Sequence, residues 1–143
     1  MSEKYIFDQY CNLAERRVWD DELECIEELE YHSENFQILK IDHKSPLGFS
    51  NREFVEKFFS FKQGSKYFAF YTAVPIESLK NHYETEGVLA DTIFGGMIVE
   101  PHPNEAEEKV LLTFFGQTDI KMDGYIANKV IRTFLPKGMT AWA

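Results

Sequence analysis

The chain has little of what would place it in several common classes. It holds two cysteines, Cys11 and Cys25, in 143 residues. That is too few for the disulfide framework of a small secreted domain, so both are expected as free thiols. Basic residues are scarce as well: 15 Lys and Arg stand against 24 Asp and Glu, a formal net charge of −9. This argues against nucleic acid as a partner, because phosphate binding needs concentrated positive charge. No run approaches the ~18 apolar residues that cross a bilayer, and Met1-Ser2-Glu3-Lys4 opens no signal-type apolar stretch. The expectation is a cytoplasmic protein. The four histidines, His32, His43, His82 and His102, fall at no ligand spacing, so no metal and no cofactor are expected. Glu22, Glu24, Glu28 and Glu30 crowd one segment, but a solvated acidic run cannot separate pKa values as acid–base catalysis requires. No catalytic residues are therefore assigned, and the chain is not expected to be an enzyme.

What is present is apolar and aromatic: 44% of residues are hydrophobic and 15% aromatic, enough to bury a core in one domain spanning 1–143. Ser2 is placed to cap a helix running to about Arg17, with Ile6, Tyr10, Leu13 and Ala14 on its buried face. Asp21 to Tyr31 fits either a helix or a strand, with composition favouring the helix. Phe36 to Ile41 alternates as a strand does. Arms at about Arg52 to Phe61 and Lys66 to Val74 flank a Lys62-Gln63-Gly64-Ser65 hairpin turn. Alternation puts Phe54 and Phe58 on one face of that hairpin and Phe59 and Phe61 on the other, so both faces need cover. Val88 to Glu100 is a strand in which Gly95-Gly96 suggests a bulge or bend. Lys109 to Ile120 is another, apolar on both faces.

The last segment, Met122 to Leu135, is an amphipathic helix. Ile126, Ala127, Val130, Ile131, Phe134 and Leu135 share one half, and Tyr125, Asn128, Lys129, Arg132 and Thr133 the other. Pro136 and Gly138 end it. Following a doubly apolar strand, it reads as a lid laid across a sheet.

In order along the chain, Trp19-Asp20, Arg52-Glu53-Phe54-Val55, Gly87-Val88-Leu89-Ala90-Asp91, Gly96 with Pro101, and Asp119-Ile120-Lys121 followed by Ala127-Asn128-Lys129-Val130 resemble the motifs of the lipid-binding START domain of the helix-grip superfamily. The resemblance covers nearly the whole chain. It implies an α+β helix-grip fold: a curved antiparallel sheet of about six strands packed against a long C-terminal helix, with an N-terminal helix. It also turns Asp21 to Tyr31 into a strand. The helix and three strands that open the family's domain have no counterpart in these residues, so the edge of the last strand is expected to be open, a pairing hazard.

By the same resemblance, the function implied is non-catalytic binding of a lipid of the phospholipid or sterol class, with transfer between membranes, in a hydrophobic cavity gated by the final helix. Cavity lining is expected from Trp19, Leu39, Phe58, Phe70, Leu112, Phe114, Ile126, Val130 and Phe134. Transient membrane contact is expected from Lys121, Lys129, Arg132 and Lys137, each basic group contributing on the order of 1 kcal/mol near an anionic surface. Sterol-transferring members pair a buried Arg with an acid. The corresponding positions here are Phe58 and a residue near Leu39, which implies a drier cavity. The alternative is a ligand-free interaction module closed by homodimerisation through the open sheet edge.

Overall fold

The computed structural model describes residues 2–45, 48–105 and 109–128. Two short helices open the chain, α1 (Glu3–Cys11) and α2 (Leu13–Trp19), where the sequence predicts one. Ser2 caps α1 as expected, its hydroxyl accepting from the Tyr5 amide at 3.3 Å. The break is at Asn12, which is extended and whose side chain accepts from the amides of Ala14 and Glu15 at 2.9 and 3.4 Å. An asparagine that satisfies the next helix's free amides outcompetes continuation of the first.

Among the described residues seven strands follow: β1 (Leu23–Ser33), β2 (Phe36–His43), β3 (Arg52–Gln63), β4 (Lys66–Ala73), β5 (Val88–Leu89), β6 (Asp91–Pro101) and β7 (Val110–Asp119). Their order is β1-β2-β3-β4-β6-β7 with antiparallel neighbours, while the two-residue β5 pairs with β3 in parallel. The glutamate-rich segment is a strand despite its helical composition, because pairing with β2 overrides local preference. Register shifts between Leu23 and Cys25 and between Glu28 and Glu30 interrupt its alternation. Leu23 and Ile26 thereby both reach the core. The β3–β4 hairpin turns where expected, with Gln63 opposite Lys66 and Gly64 at φ 60°.

Two cores lie on opposite faces of the sheet. Phe7 and Tyr10 of α1 pack on Ile26, Leu39, Ile41, Phe54, Phe58, Ala69, Met97 and Val99, which makes this the helix face. On the other face Ile38, Val55 and Val74 are covered by Leu29, Ile76, Leu79, Tyr83 and Leu89, mostly from the connection between β4 and β5. That connection is tied down by polar bonds. Glu30, expected among solvated acids, accepts from the Lys80 amide at 2.7 Å, and Glu53, 2% exposed, accepts from the Tyr83 hydroxyl at 2.6 Å. Lys40 stands in the same layer, its Nζ 3.4 Å from Asp42, 3.8 Å from Glu27 and Glu86, and 4.0 Å from Glu53.

Gly95 and Gly96 do not form the bulge expected of them. The irregularity of β6 falls between Thr92 and Phe94, and the glycines continue in register opposite Gly116 and Phe115. They serve close approach instead. A Cβ on Gly95 would stand 2.2 Å from the Tyr71 ring, and one on Gly96 2.6 Å from the Phe115 ring and 2.7 Å from the Ala69 carbonyl oxygen.

β7 ends the strand order, and among the described residues no strand lies along its outer side. Beyond it Lys121 takes φ 51°, its Nζ 2.7 Å from both Asp91 and Asp119. Asp123 then caps a helical turn over 124–128, its carboxylate accepting from the Tyr125 amide at 3.0 Å. The remainder of the predicted final helix lies outside the described residues. Arg52 anchors this corner, donating from Nε to the Ile120 carbonyl at 2.7 Å and from Nη1 to the Ser50 carbonyl.

Candidate functional site

The helix face holds a cavity of about 160 Å³ between α1, α2 and strands β2, β3, β4, β6 and β7. Its wall combines Phe54, Phe58 and Ile41 with Tyr10, Arg16, His43, Glu56, Tyr71, Thr92 and Thr118. Strand parity brings Phe54, Glu56 and Phe58 inward from one side of β3, and the hairpin register sets Tyr71 opposite Phe58. Arg16 arrives from α2 because the break at Asn12 turns that helix, and its guanidinium sits over the Tyr10 ring at 4.7 Å.

Arg16 is 8% exposed, and its Nε donates to Asp20 at 3.1 Å. Asp20 thus engages the guanidinium at Nε, and Arg16 forms part of the cavity wall. Glu56 is buried and accepts from the Thr92 hydroxyl. Burial pushes its carboxyl above the ordinary range, against the opposing pull of Thr92 and Arg16. The cavity therefore places a fixed cation in the same wall as a buried carboxyl whose pKa is raised by burial. Burial also raises the Tyr10 and Tyr71 hydroxyls, which keeps both as neutral hydrogen-bonding groups.

His43 packs edge-on against Phe54 at 5.5 Å, and burial, followed by the nearby Arg16 charge, lowers its pKa from 6.5 to about 4; Asp20 and the Glu22 backbone pull the other way. The sign follows from linkage. An unfolded chain binds this proton below pH 6.5 and the folded one only near pH 4, so the stability is present above 6.5 and lost as pH falls between the two values. The full loss is about 3 kcal/mol at ~1.4 kcal/mol per pH unit. Glu56 acts oppositely, its stability present below the unfolded carboxylate range and lost as pH rises through its raised value. Urea midpoints between about pH 4.5 and 7 should show the histidine limb, and His43→Gln should flatten it. An unchanged slope would assign the acid limb to other groups.

The expected cavity residues fall in several places. Phe58 lines the cavity. Leu39 lies in the core beneath it, while Leu112 and Trp19 pack against that core, the Trp19 indole donating to the Gln9 carbonyl at 2.9 Å. Phe114 is on the helix face with its ring 5.8 Å from Tyr10, yet it is 40% exposed. Phe70 is on the opposite face, against Phe61, Phe68 and Phe115, because its register partner is Phe59 rather than Phe58. Ile126 is half-buried in the helical turn, and Val130 and Phe134 lie outside the described residues. Of the expected membrane contacts, Lys121 is engaged by two aspartates, while Lys129, Arg132 and Lys137 lie outside the described residues.

The drier cavity is corrected. The aromatic positions do carry apolar residues, but Arg16, Glu56, Thr92 and His43 supply polarity from other places. Glu56 was open to detection, since it shares strand parity with Phe54 and Phe58. Arg16 depended on the helix break, which the continuous apolar periodicity concealed.

Helices on one face of an antiparallel sheet, with a cavity between the two layers, define an α+β fold. No protein-family model matches the chain, and no curated protein matches it. Solved structures do. Human STARD10 aligns over 99% of this chain and 56% of its own, with TM-score 0.82 and 16% identity. Human StAR-related lipid transfer protein 5 aligns over 88% of this chain and 59% of its own, with TM-score 0.67 and 23% identity. A STAR-related lipid transfer protein fragment from Xanthomonas axonopodis aligns over 96% and 74%, with TM-score 0.67 and 18% identity. The chain has a START-like fold, and it spans less than two thirds of the two human chains.

Proposed function

We propose that the chain is a non-catalytic lipid-binding protein whose helix-face cavity receives the polar end of a phospholipid- or sterol-class ligand, with Arg16 as the principal contact. The observation that carries this is a guanidinium on a residue 8% exposed that lines the cavity, with its Nε donating to Asp20. A buried guanidinium fork is costly unless something accepts from it, and phosphate or hydroxyl oxygen matches it. At about 160 Å³ the cavity admits a polar end group and not a whole lipid, since drug-sized ligands already need roughly 300 Å³ or more. Uptake therefore requires the helix face to open, with the C-terminal helix as the gate. Lys129, Arg132 and Lys137 contact an anionic membrane while it does so. Transfer between membranes in a cytoplasmic setting follows from this reading, and likeness to STAR-related lipid transfer proteins favours transfer.

Native mass spectrometry of the purified chain, followed by organic extraction, tests the reading. The expected result is chain with one bound lipid, and at least tenfold less of it in Arg16→Gln, or roughly 1.4 kcal/mol of binding. Circular dichroism should show the variant folded. Bare chain alone, or equal loading of the folded variant, would sink the proposal.

A further inference from the structure

Among the described residues, the sheet face away from the helices is covered over only half its width. The other half carries a register row of aromatic rings, Phe36, Phe59, Phe70 and Phe115, interrupted by Gly96 in β6. Phe36 and Phe59 stack at 4.5 Å with 4° between their planes, and Phe70 meets Phe115 at 5.8 Å over Gly96. The outer face of an antiparallel sheet ordinarily turns polar when water is its neighbour. Here phenylalanine recurs at that parity from strand to strand, and Gly96 lacks the side chain that would part the rings. We propose that this aromatic face is the contact through which two copies of the chain associate.

Area supports a second copy as the occupant. Phe59, Phe61 and Phe94 are 41%, 43% and 48% exposed. At ~200 Å² per ring these three leave roughly 250 Å² open, and the half-buried rings beside them bring the patch to roughly 500 Å². Two such faces together remove ~1,000 Å² from water, the lower limit of a specific interface and right for a weak, concentration-dependent dimer. Shape agrees, because flat sheet faces stack ~10 Å apart with inward side chains interleaved.

Charge distribution agrees too. On a chain of net −9 this patch carries Lys57 at one margin and the Lys66–Glu100 ion pair at another. Of the other carboxylates on this side, Glu27, Asp42, Glu53 and Glu86 gather around Lys40, and Glu30 accepts from the Lys80 amide, all in the layer with the β4–β5 connection. Two copies can therefore meet without opposing acids. Among the described residues, this face offers an anionic bilayer no basic cluster to hold it. Long-range repulsion between two acidic chains is screened by salt, whereas apolar contact is not weakened by it.

Sedimentation equilibrium of the full chain from about 1 to about 200 µM tests the proposal. The expected result is a monomer–dimer equilibrium that tightens between about 50 and 500 mM NaCl. Phe59→Ser with Phe61→Ser should raise the dissociation constant at least tenfold, with an unchanged circular dichroism spectrum. Should that pair of changes disturb folding, Phe94→Ser reads the same face from β6. A monomer throughout the range overturns the proposal. So does a dimer that survives substitution in a folded variant, which would place the contact at the β7 edge.

Discussion

Replacing Lys40 with methionine should cost roughly 3–5 kcal/mol at pH 7 and markedly less at pH 5. Lys40 has its Nζ within 4.0 Å of Asp42, Glu27, Glu86 and Glu53, and its side chain is 9% exposed. Burial disfavours its charge, but the surrounding carboxylates outweigh that and hold its pKa above the usual lysine value. Methionine conserves the aliphatic stem and deletes the cation, leaving Asp42 and the almost fully buried Glu53 to repel one another. Burial already raises Asp42, and Lys40 is the first influence opposing that rise. Without it, the folded-state value of Asp42 moves up further. The sign is then set: stability contributed by a raised carboxyl is present below the unfolded value and lost as pH rises through the folded one. The deficit should therefore deepen from pH 5 to pH 7 in urea unfolding. Equal losses at both values would make the effect one of packing.

Gly96→Ala should be nearly as damaging, at about 2–3 kcal/mol, or a fall of roughly 10 °C in Tm. The added methyl would stand 2.7 Å from the Ala69 carbonyl oxygen, a backbone atom held in the β4–β6 ladder, and 2.6 Å from the Phe115 ring. The ring can turn aside; the carbonyl cannot without breaking register. Combining Gly96→Ala with Phe115→Leu should accordingly recover only part of the loss. The nearest atoms to a methyl in Gly95→Ala all belong to the Tyr71 ring, so it should disturb the cavity wall more than the ladder. A Gly96→Ala loss below about 0.5 kcal/mol would mean that the strands separate easily here, contrary to close packing.

Much of this architecture is legible in the sequence. The hairpin at Gly64, the strand parity of Phe54 and Phe58, and the Ser2 cap depend on local chemistry, which a sequence displays directly. Phe70 was misplaced because facing on β4 depends on pairing across the turn, and one residue of register reverses every side chain. The glycine pair was misread because its reason lies in rings brought from neighbouring strands, Tyr71 from β4 and Phe115 from β7. Arg16 was missed as a cavity residue because an apolar stripe ran through Asn12 without interruption, while the cap that breaks the helix acts through a single side chain. The bulges of β1 have no signature in a run of alternating glutamates and apolar residues, yet they decide which acids stay in water and which, like Glu30, tether a loop.

The bond from Arg52 to the Ile120 carbonyl bears on the order in which the chain assembles. Most of the sheet closes by pairing strands adjacent in sequence, so its early hairpins form with short loops and low entropic cost. Arg52 and Ile120 are 68 residues apart, and their contact needs both the start of β3 and the end of β7 in place. The corner from which the final segment departs is thus among the last features to be secured. Weakening that bond should leave the folding rate nearly unchanged and accelerate unfolding, the behaviour of a contact made after the transition state.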